Sequence, residues 1–370
     1  MPRKASLPLA LVLTSLCLVL AACDRGEANK STSATPGPST STASATTANT
    51  VDATGASTPA ANQVAGDTTP ATSMLKKPGG GKVVVGFSQI GAESAWRTAE
   101  TDSIKSEATN RGVDLRFSDA QGKQENQIRA VKNFIQQRVD AIILAPVVET
   151  GWEPVLRDAQ QKKIPVILVD RGVNAPPELF TTLIASDFVA EGRMAGEWLA
   201  NATNRRCNIA ELQGTTGAAP ALDRAKGFRQ ALQGHPEMKI VLSQTGDFTR
   251  ANGKNVMEAF LKSPQGKDIQ AVYAHNDDMA LGAIQAIEEA GKRPGQDIKV
   301  VSIDAVKGAF EAMVAGKLNC TVECNPLLGP AAFDAVEKAL AGQTLQKKTI
   351  VQDQVFEQAR AKDVIGSRKY

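Results

Sequence analysis

Residues 83–97, VVVGFSQIGAESAWR, decide the fold of this chain. The stretch begins with β-branched residues and Phe87, a pattern that is typical of a strand buried on both faces. At Gly91 it changes to a short polar loop, and a helical pattern with Ile104 and Ala108 on one face follows. Ligands bind at the carboxyl ends of strands in open α/β sheets, so this loop is a candidate binding site.

The same order of strand, polar residues and helix recurs along the chain. Further buried-strand candidates are residues 141–145, 166–170, 182–185, 208–213, 239–244, 271–274 and 299–303. Helical patterns separate most of them, and such alternation predicts parallel sheets with helices on both faces. Because the pattern runs through two similar halves, we predict an α/β fold of two doubly wound parallel-sheet lobes joined by a hinge.

The amino-terminal segment is typical of an exported protein. Arg3 and Lys4 give a basic start, and the apolar stretch over residues 7–20 is short for a membrane span. The small residues directly before Cys23 resemble a bacterial lipoprotein signal, in which the chain is cut before the Cys and the thiol is lipidated. We predict a lipoprotein signal peptide over residues 1–23; the alternative is a conventional secretory signal with an incidental Cys.

The segment after the signal is rich in Ser, Thr, Ala and Pro. It has too few large apolar residues to offset the entropy that folding removes. We therefore predict a disordered tether over residues 24–80, which holds the folded part near a membrane through a lipid on Cys23. A spacer without any role fits the same composition.

Composition argues against several classes of function. The chain has 370 residues, enough for two domains, and a formal net charge of only +3. That charge is too small to indicate nucleic acid, and no basic stripe with interleaved aromatic residues is present. Two His in the whole chain argue against a multi-histidine metal site. We expect no nucleic acid, no metal and no cofactor.

Three cysteines remain after the predicted signal, and their pairing stays open. Cys320 and Cys324 lie four residues apart on one apparent strand, which is too far to bridge unless the strand bends. Cys207 is able to pair with either if the fold brings them close. Three thiols leave at least one free.

Mostly acidic, amide and arginine side chains, together with one Trp, follow the predicted strands. They are Glu93, Ser94, Trp96, Arg97, Asp170, Arg171, Asp223, Arg224, His275, Asn276, Asp277, Asp278 and Asp304. Carboxylate and guanidinium groups make short, charge-assisted hydrogen bonds to hydroxyl pairs. A Trp face covers the C–H side of a sugar ring. The set suits a neutral polyol or sugar better than a phosphate.

Each candidate also has a simpler interpretation. Asp170 and Arg171 fit a surface ion pair, which contributes little. Asp223 fits the first turn of a helix, a role that is compatible with binding by Arg224. Trp96 fits an ordinary core position, although its polar loop argues against that.

The run His275-Asn276-Asp277-Asp278 invites two further hypotheses. His275 has no second His nearby, so a structural role is favoured over a metal site. Asp277 and Asp278 are adjacent at a helix start and point in different directions, which favours a helix cap over a glycosidase pair. Since no nucleophile–base pair or metal set is present either, we predict that the chain is not an enzyme.

Several motifs in succession resemble one known family. GFSQIGAESAWR, IPVILVDR, LDRAKGF, SQTGDFTR, VYAHNDDMALGAIQAI and SIDA follow one another from residue 86 towards the C-terminus. They are similar to galactofuranose-binding proteins of bacterial ABC sugar importers, within the ribose-binding class of type I periplasmic binding proteins. The resemblance implies lobe one over residues 81–185 and 324–347, and lobe two over residues 186–323 and 348–370.

The same resemblance implies a function. It implies capture of galactofuranose or a related monosaccharide in the interlobe cleft and delivery to an ABC permease and its ATPase. The implied receptor is a monomer of the periplasm or cell envelope; the lipid anchor predicted at Cys23 departs from the soluble relative. The implied ligand contacts are Glu93, Ser94, Trp96, Asp170, Arg171, Arg224, Asn276 and Asp304.

Departures from the family pattern leave the exact sugar open. Ala92 stands where relatives carry Ser, and Ala305 replaces a Gly beside the last predicted contact. The alternative function is a membrane-tethered sugar sensor that feeds a chemoreceptor or a kinase. A transcription regulator of the same fold would need an N-terminal DNA-reading helix pair, and the signal and tether occupy that place.

Overall fold

The computed structural model describes residues 74–77 and 79–370, and strands alternate with helices through most of this part. The strands are β1 Val84–Gln89, β2 Asp114–Asp119, β3 Ala141–Leu144, β4 Val166–Val169, β5 Thr182–Ser186, β6 Cys207–Gln213, β7 Met238–Thr245, β8 Ala271–Ala274, β9 Lys299–Asp304, β10 Cys320–Glu323, β11 Lys348–Val351 and β12 Val355–Glu357. The helices are α1 Ala95–Asn110, α2 Gln124–Gln136, α3 Glu153–Gln161, α4 Phe188–Ala202, α5 Ala219–Ala231, α6 Arg250–Lys262, α7 Asp277–Glu289, α8 Lys307–Val314, α9 Gly329–Leu340 and α10 Ala361–Val364. The predicted signal peptide, with Cys23, lies outside the described residues.

The strands form two six-stranded sheets. The first has the order β11-β5-β4-β3-β1-β2, and all its pairings are parallel. The second has the order β12-β10-β9-β8-β6-β7, parallel except where β12 pairs antiparallel with β10. Without β11 and β12 the two sheets have the same strand order. In each, the order in which the chain adds strands changes direction at one point, between β1 and β3 in the first sheet and between β6 and β8 in the second. The prediction of an α/β fold with two doubly wound parallel sheets is confirmed.

Apolar side chains cover both faces of the first sheet. Ile143 packs with Phe333 of α9 on one face, and Ile142 packs with Trp152 and Leu156 on the other. Adjacent residues of a strand point to opposite faces, which is why β3 and β4 are continuously apolar. The first sheet and the helices packed on it, α1, α2, α3 and α9, are called lobe one below.

The second sheet has its own core, which includes Phe228, Tyr273 and Phe310. Helices α4 to α8 supply most of the side chains around it, and this assembly is called lobe two. Trp96, on α1 of lobe one, belongs to the same apolar cluster. One indole therefore joins the first helix of lobe one to the core of lobe two.

The chain passes between the sheets three times: after β5, after β10, and between β11 and β12. These segments run close together, because Ser186 pairs with Val351 and the Glu323 N–H donates to the Gln354 carbonyl at 2.8 Å. Both sheets belong to one compact unit. A narrow connection of a few neighbouring segments is the geometry in which hinge rotation between lobes takes place.

Two edge strands depart from the sequence prediction. β2 was not among the predicted strands, because an edge strand with Phe117 39% exposed lacks the apolar run of a buried one. The second difference concerns the predicted lobe boundary, which places residues 348–370 in lobe two. β11 instead pairs with β5, so Lys348–Val351 lies in the first sheet and the last crossing follows it.

The predicted tether extends too far towards the fold. Residues 74–77 are part of lobe one: Leu75 is buried, and its N–H donates to the Arg111 carbonyl at 2.9 Å. Lys77 forms an ion pair with Asp140 at 2.8 Å. A single Leu in a polar stretch is not a periodic pattern, so the sequence did not predict that residues 74–77 pack on lobe one. The tether prediction for residues 24–73 falls outside the described residues.

Two further findings bear on the predictions. Cys207, Cys320 and Cys324 are all buried free thiols, so no disulfide joins any two of them. In residues 74–77 and 79–370, no helix combines the length and the apolarity needed to cross a bilayer.

Candidate functional site

A small cavity lies between the lobes at the strand ends. It is lined by Glu93, Ser94, Trp96, Arg97, Asp170, Arg171, Pro220, Arg224, Phe248, Asn276, Asp304 and Cys324. All eight predicted contact residues are among them, and the structure brings them together from both sheets. Their contact with a ligand stays a prediction. Pro220, Phe248 and Cys324 were not singled out as candidates for the site, and Arg97 was a strand-end candidate only.

The loop after β1 is fixed by the start of α1. Ser94 is the N-cap of α1, and its Oγ accepts a hydrogen bond from the Arg97 N–H at 3.1 Å. Trp96 follows in the first turn, and its Nε1–H donates to the carbonyl of Cys324 at 2.5 Å. Cys324 lies just after β10 in the second crossing, so α1 is hydrogen-bonded directly to the connection between the lobes.

Arg97 gathers three carboxylates of lobe one. Its Nε lies 3.1 Å from Glu93, its Nη2 lies 2.7 Å from Asp170, and its Nη1 donates to Glu100. Burial raises the pKa of the Glu100 carboxyl to about 7, and the Asp170 charge adds to that rise while Arg97 opposes it. The guanidinium thus holds together acidic groups that would repel each other without it.

Arg171 keeps a donor free. Its Nη1 donates to the Val147 carbonyl at 2.9 Å, while its buried Nε lies 3.5 Å from Asp170 without a hydrogen bond to it or to any other described residue. Burial lowers its pKa to about 10, and the neighbouring Arg97 charge contributes to the lowering. The Phe248 ring, from lobe two, lies 5.2 Å from its guanidinium carbon. A buried unpaired N–H is costly, so this position favours an acceptor from a ligand.

Two aspartates end equivalent strands of the two sheets. Asp170 follows β4 with a φ of 61°, and Asp304 ends β9 with a φ of 129°, followed by Ala305 at 59°. A positive φ in a residue other than Gly costs on the order of 1–3 kcal/mol and is found most often at functional sites. Both carboxylates line the cavity from these strained positions.

Arg224 is the buried arginine of lobe two. Its Nε pairs with Glu191 at 2.7 Å, and its Nη1 donates to the His275 carbonyl at 2.6 Å. Asp304 lies 3.6 Å from Nη2, beyond hydrogen-bonding distance. A Cβ on Gly192 would lie 2.1 Å from the Arg224 carbonyl oxygen, so only Gly allows the contact of α4 and α5 that sets this pair.

Asp277 supports the turn that carries Asp304. It accepts hydrogen bonds from the Ser302 hydroxyl, from Thr321 at 2.8 Å and from the Val306 N–H at 2.9 Å. Burial raises its pKa to about 7 against the effect of these hydrogen bonds. Burial also raises the pKa of Asp304 well above its ordinary value, opposed by Arg224.

The helix cap predicted at residues 277–278 lies one residue earlier. Asn276 is the N-cap of α7: its Oδ1 accepts from the Met279 N–H at 3.0 Å, and its Nδ2 donates to the Phe248 carbonyl at 3.1 Å. Asp277 and Asp278 occupy the first turn and have separate partners. They do not face a common substrate position as a glycosidase pair must.

His275 has a structural environment. Its ring is fully buried, with Nε2 3.4 Å from Glu211 and Nδ1 3.3 Å from the Gly214 N–H. Burial lowers the pKa of His275. Burial would raise the pKa of Glu211, but hydrogen bonds from His275 and Ser243 lower it to about 2. No group of three potential metal ligands occurs in the described part of the chain.

Direct contacts join the lobes across the cleft. The Ala95 N–H, at the first position of α1, donates to Asp278 of lobe two at 2.9 Å. The other oxygen of Asp278 pairs with Arg250 at 2.9 Å. This contact of Ala95 and Asp278 is called the interlobe bridge below.

The space left inside the cavity is about 20 Å³. Such a volume holds about one water molecule. The paired side chains fill the remainder, so any larger ligand requires the lobes to part and some of these pairs to reform around it.

A family profile described as "Periplasmic binding protein domain" matches residues 85–344. The chain belongs to the periplasmic binding protein family. Galactofuranose-binding protein YtfQ of Escherichia coli K12 is 49% identical over 291 residues, covering 78% of this chain and 92% of that protein. The arabinose-transporter binding protein of Shewanella sp. ANA-3, solved with L-arabinofuranose, is 55% identical with a TM-score of 0.76, covering 78% of this chain and 96% of that one.

A structure from Mycobacterium smegmatis in complex with β-D-fucofuranose is 51% identical to this periplasmic binding protein, with a TM-score of 0.75. The match covers 78% of this chain and 95% of the Mycobacterium smegmatis chain. These relatives confirm the predicted resemblance and the type I fold. Membership implies a periplasmic location and confirms that the protein is a binding protein of sugar transport and not an enzyme.

Proposed function

We propose that this periplasmic binding protein captures galactofuranose, or a related monosaccharide in furanose form, between its lobes and delivers it to an ABC permease and its ATPase. The observation that carries the proposal is the set of carboxylate, guanidinium and amide side chains from both lobes that line the small cavity. The names of the relatives, which mention galactofuranose, arabinofuranose and fucofuranose, support the class of sugar.

The charges around the cavity favour a neutral ligand. Three acids and three arginines line it: Glu93, Asp170, Asp304, Arg97, Arg171 and Arg224. Their formal charges balance, and each arginine is close to at least one acid, so the cavity lacks a cluster of unopposed positive groups to bind a phosphate or a carboxylate ligand. Hydroxyl groups, which both donate and accept, match such a mixed set.

Each predicted contact has a role in the proposal. Asp170, Asp304 and Glu93 accept from sugar hydroxyls, whereas Arg171, Arg224 and Asn276 donate to them. Trp96 covers an apolar face of the ring. Ser94 holds the first turn of α1 in place, because its Oγ already accepts from the helix backbone.

Binding by both lobes provides the signal for transport. A sugar that contacts one lobe in the open form and both in the closed form shifts the equilibrium towards closure by the difference in contacts. The closed form then docks on the permease. A lipid anchor on Cys23, a flexible tether and a monomeric state complete the proposal; the sensor alternative stays a prediction.

Thermal unfolding with furanosides tests the proposal. Methyl β-D-galactofuranoside at a hundred times its dissociation constant is expected to stabilise the protein by about 2.7 kcal/mol. Methyl galactopyranoside at the same concentration should leave the melting temperature unchanged. Arg171→Ala should abolish the shift and Arg157→Ala, a surface control 49% exposed, should retain it. The proposal fails if no furanose or furanoside raises the melting temperature.

A further inference from the structure

We propose that the cleft has an outer compartment that accepts a second sugar unit, glycosidically linked to the furanose, so that the receptor binds furanosyl disaccharides. The inference rests on the proposed function and extends it. A second cavity of about 480 Å³ lies between the lobes. Its lining residues are Ile90, Gly91, Ala92, Glu93, Asp119, Gln121, Gly122, Val147, Thr215, Asp247 and Thr249.

Glu93 lies where the outer compartment adjoins the sugar cavity, because it lines both. Its Oε1 pairs with Arg97 at 3.1 Å, while its Oε2 is buried without a hydrogen-bond partner in residues 74–77 and 79–370. A Cβ on Gly91 would lie 3.2 Å from that Oε2, so the oxygen sits beside the wall of the outer compartment. A hydroxyl next to the glycosidic link is the donor that would satisfy it.

The size of the outer compartment fits one more sugar ring. Ligand pockets in proteins typically enclose about 300–1,000 Å³. Small residues keep this space open on the lobe-one side, where Gly91, Ala92 and Gly122 form the wall. A Cβ on Gly122 would meet nothing within 4 Å, and its φ of +72° favours Gly. At these three positions the wall carries nothing larger than a methyl group, which leaves room for a second ring.

The lining chemistry selects a neutral, hydroxyl-rich group. Asp119 and Asp247 face the space from opposite lobes, together with Gln121, Thr215 and Thr249. No Lys or Arg is among the lining residues, so a phosphate or another anion would lack a counter-charge there. Carboxylates, hydroxyls and an amide are the groups that bind sugar hydroxyls.

Calorimetry on the full-length protein separates the two compartments. The probes are methyl β-D-galactofuranoside, which fills only the inner site, and a β-linked galactofuranosyl disaccharide. We expect the disaccharide to bind at least about tenfold more tightly, since its second ring adds hydrogen bonds to the polar groups of the outer compartment. Ala92→Phe and Thr215→Tyr fill the outer space from opposite lobes, and each should reduce disaccharide affinity at least tenfold while changing methyl furanoside affinity less than twofold.

Ala341→Phe, on an exposed residue at the end of α9, is the matched control and should change neither affinity. Disaccharide binding weaker than that of the methyl furanoside would overturn the outer compartment and leave the proposed function intact. Equal losses for both probes in Ala92→Phe and Thr215→Tyr would also overturn it. Failure of both probes to bind the wild-type protein would refute the proposed function and, with it, this inference.

Discussion

The two lobes present the same pair of side chains to the cleft, an arginine from the helix after the first strand and an aspartate after the fourth strand. In lobe one, Arg97 and Asp170 are 2.7 Å apart, within hydrogen-bonding distance. In lobe two, the nearest atoms of Arg224 and Asp304 are 3.6 Å apart. The difference lies in what else each arginine contacts.

Arg97 is shared among three carboxylates, whereas Arg224 is satisfied by Glu191 and by a backbone carbonyl. Asp304 accordingly receives no hydrogen bond from any described residue at its carboxylate. In lobe one Arg97 hydrogen-bonds the strand-end aspartate, whereas in lobe two the carboxylate of Asp304 is left available to accept from a ligand. The comparison teaches that similar residues at equivalent strand ends can differ in emphasis, with a larger contribution to stability in lobe one and to binding in lobe two.

The largest effect is expected from Arg97→Met. It leaves Glu93, Glu100 and Asp170 without their common partner, and unpairing a buried ion pair costs about 3–5 kcal/mol. Urea unfolding should show a loss of this size, and a smaller loss for Arg224→Met, which has one carboxylate within hydrogen-bonding distance. Arg157→Met, on an exposed pair, should change stability by less than about 0.5 kcal/mol. A larger loss for Arg224→Met than for Arg97→Met would break the comparison.

Asp304→Asn should act on binding instead of stability. A hydrogen bond to a charged group contributes about 1.5–3 kcal/mol, so furanoside affinity should fall roughly 10- to 150-fold. The free energy of unfolding should stay equal or rise, because the change removes a buried carboxyl whose ionised form is disfavoured by burial and by the nearby Asp277. Asp170→Asn should lower stability, and the exposed control Asp268→Asn should change neither quantity. Calorimetry and urea unfolding on the same samples measure both; a destabilised Asp304→Asn would contradict the assignment.

A smaller effect concerns the pH dependence of stability. Burial raises the pKa of Glu100 from 4.5 to about 7, so the folded protein binds more protons than the unfolded chain between these values. Stability from this group therefore falls as pH rises through that window. Glu100→Gln should reduce the loss of unfolding free energy between pH 5 and pH 8 by about 1 kcal/mol or more. Urea unfolding at both pH values measures this, and a profile identical to wild type would exclude it; exposed Glu125→Gln is the control.

Much of the site was predictable because its residues follow apolar strands. Asp170, Arg171 and Asp304 each stand where a buried run ends, and parallel strands bring such ends to one edge. Phe248 was not predictable in this way. It follows an exposed strand, β7, and reaches the cavity through a loop in which it adopts a φ of 61°. Only its place in the motif GDFTR signalled it.

The partners in the buried ion pairs could not be predicted from the sequence. Whether Arg97 pairs with Asp170 or faces a ligand depends on the packing of α1 against the first sheet, which no local pattern encodes. The same holds for edge strands β2 and β11, whose residues are half exposed and lack a periodic signal. Buried elements were predicted well because burial on both faces imposes continuous apolar runs.

The interlobe bridge adds a contribution that no sugar supplies. The first N–H of α1 has no acceptor within its own helix, and Asp278 provides one only while the two halves of the molecule touch. When the lobes separate, that amide is left to hydrogen-bond with water. The protein's own contacts therefore supply part of the free energy that favours the closed form. Asp278, which lies outside the cavity lining, thereby contributes to the affinity for a ligand and to its rate of release.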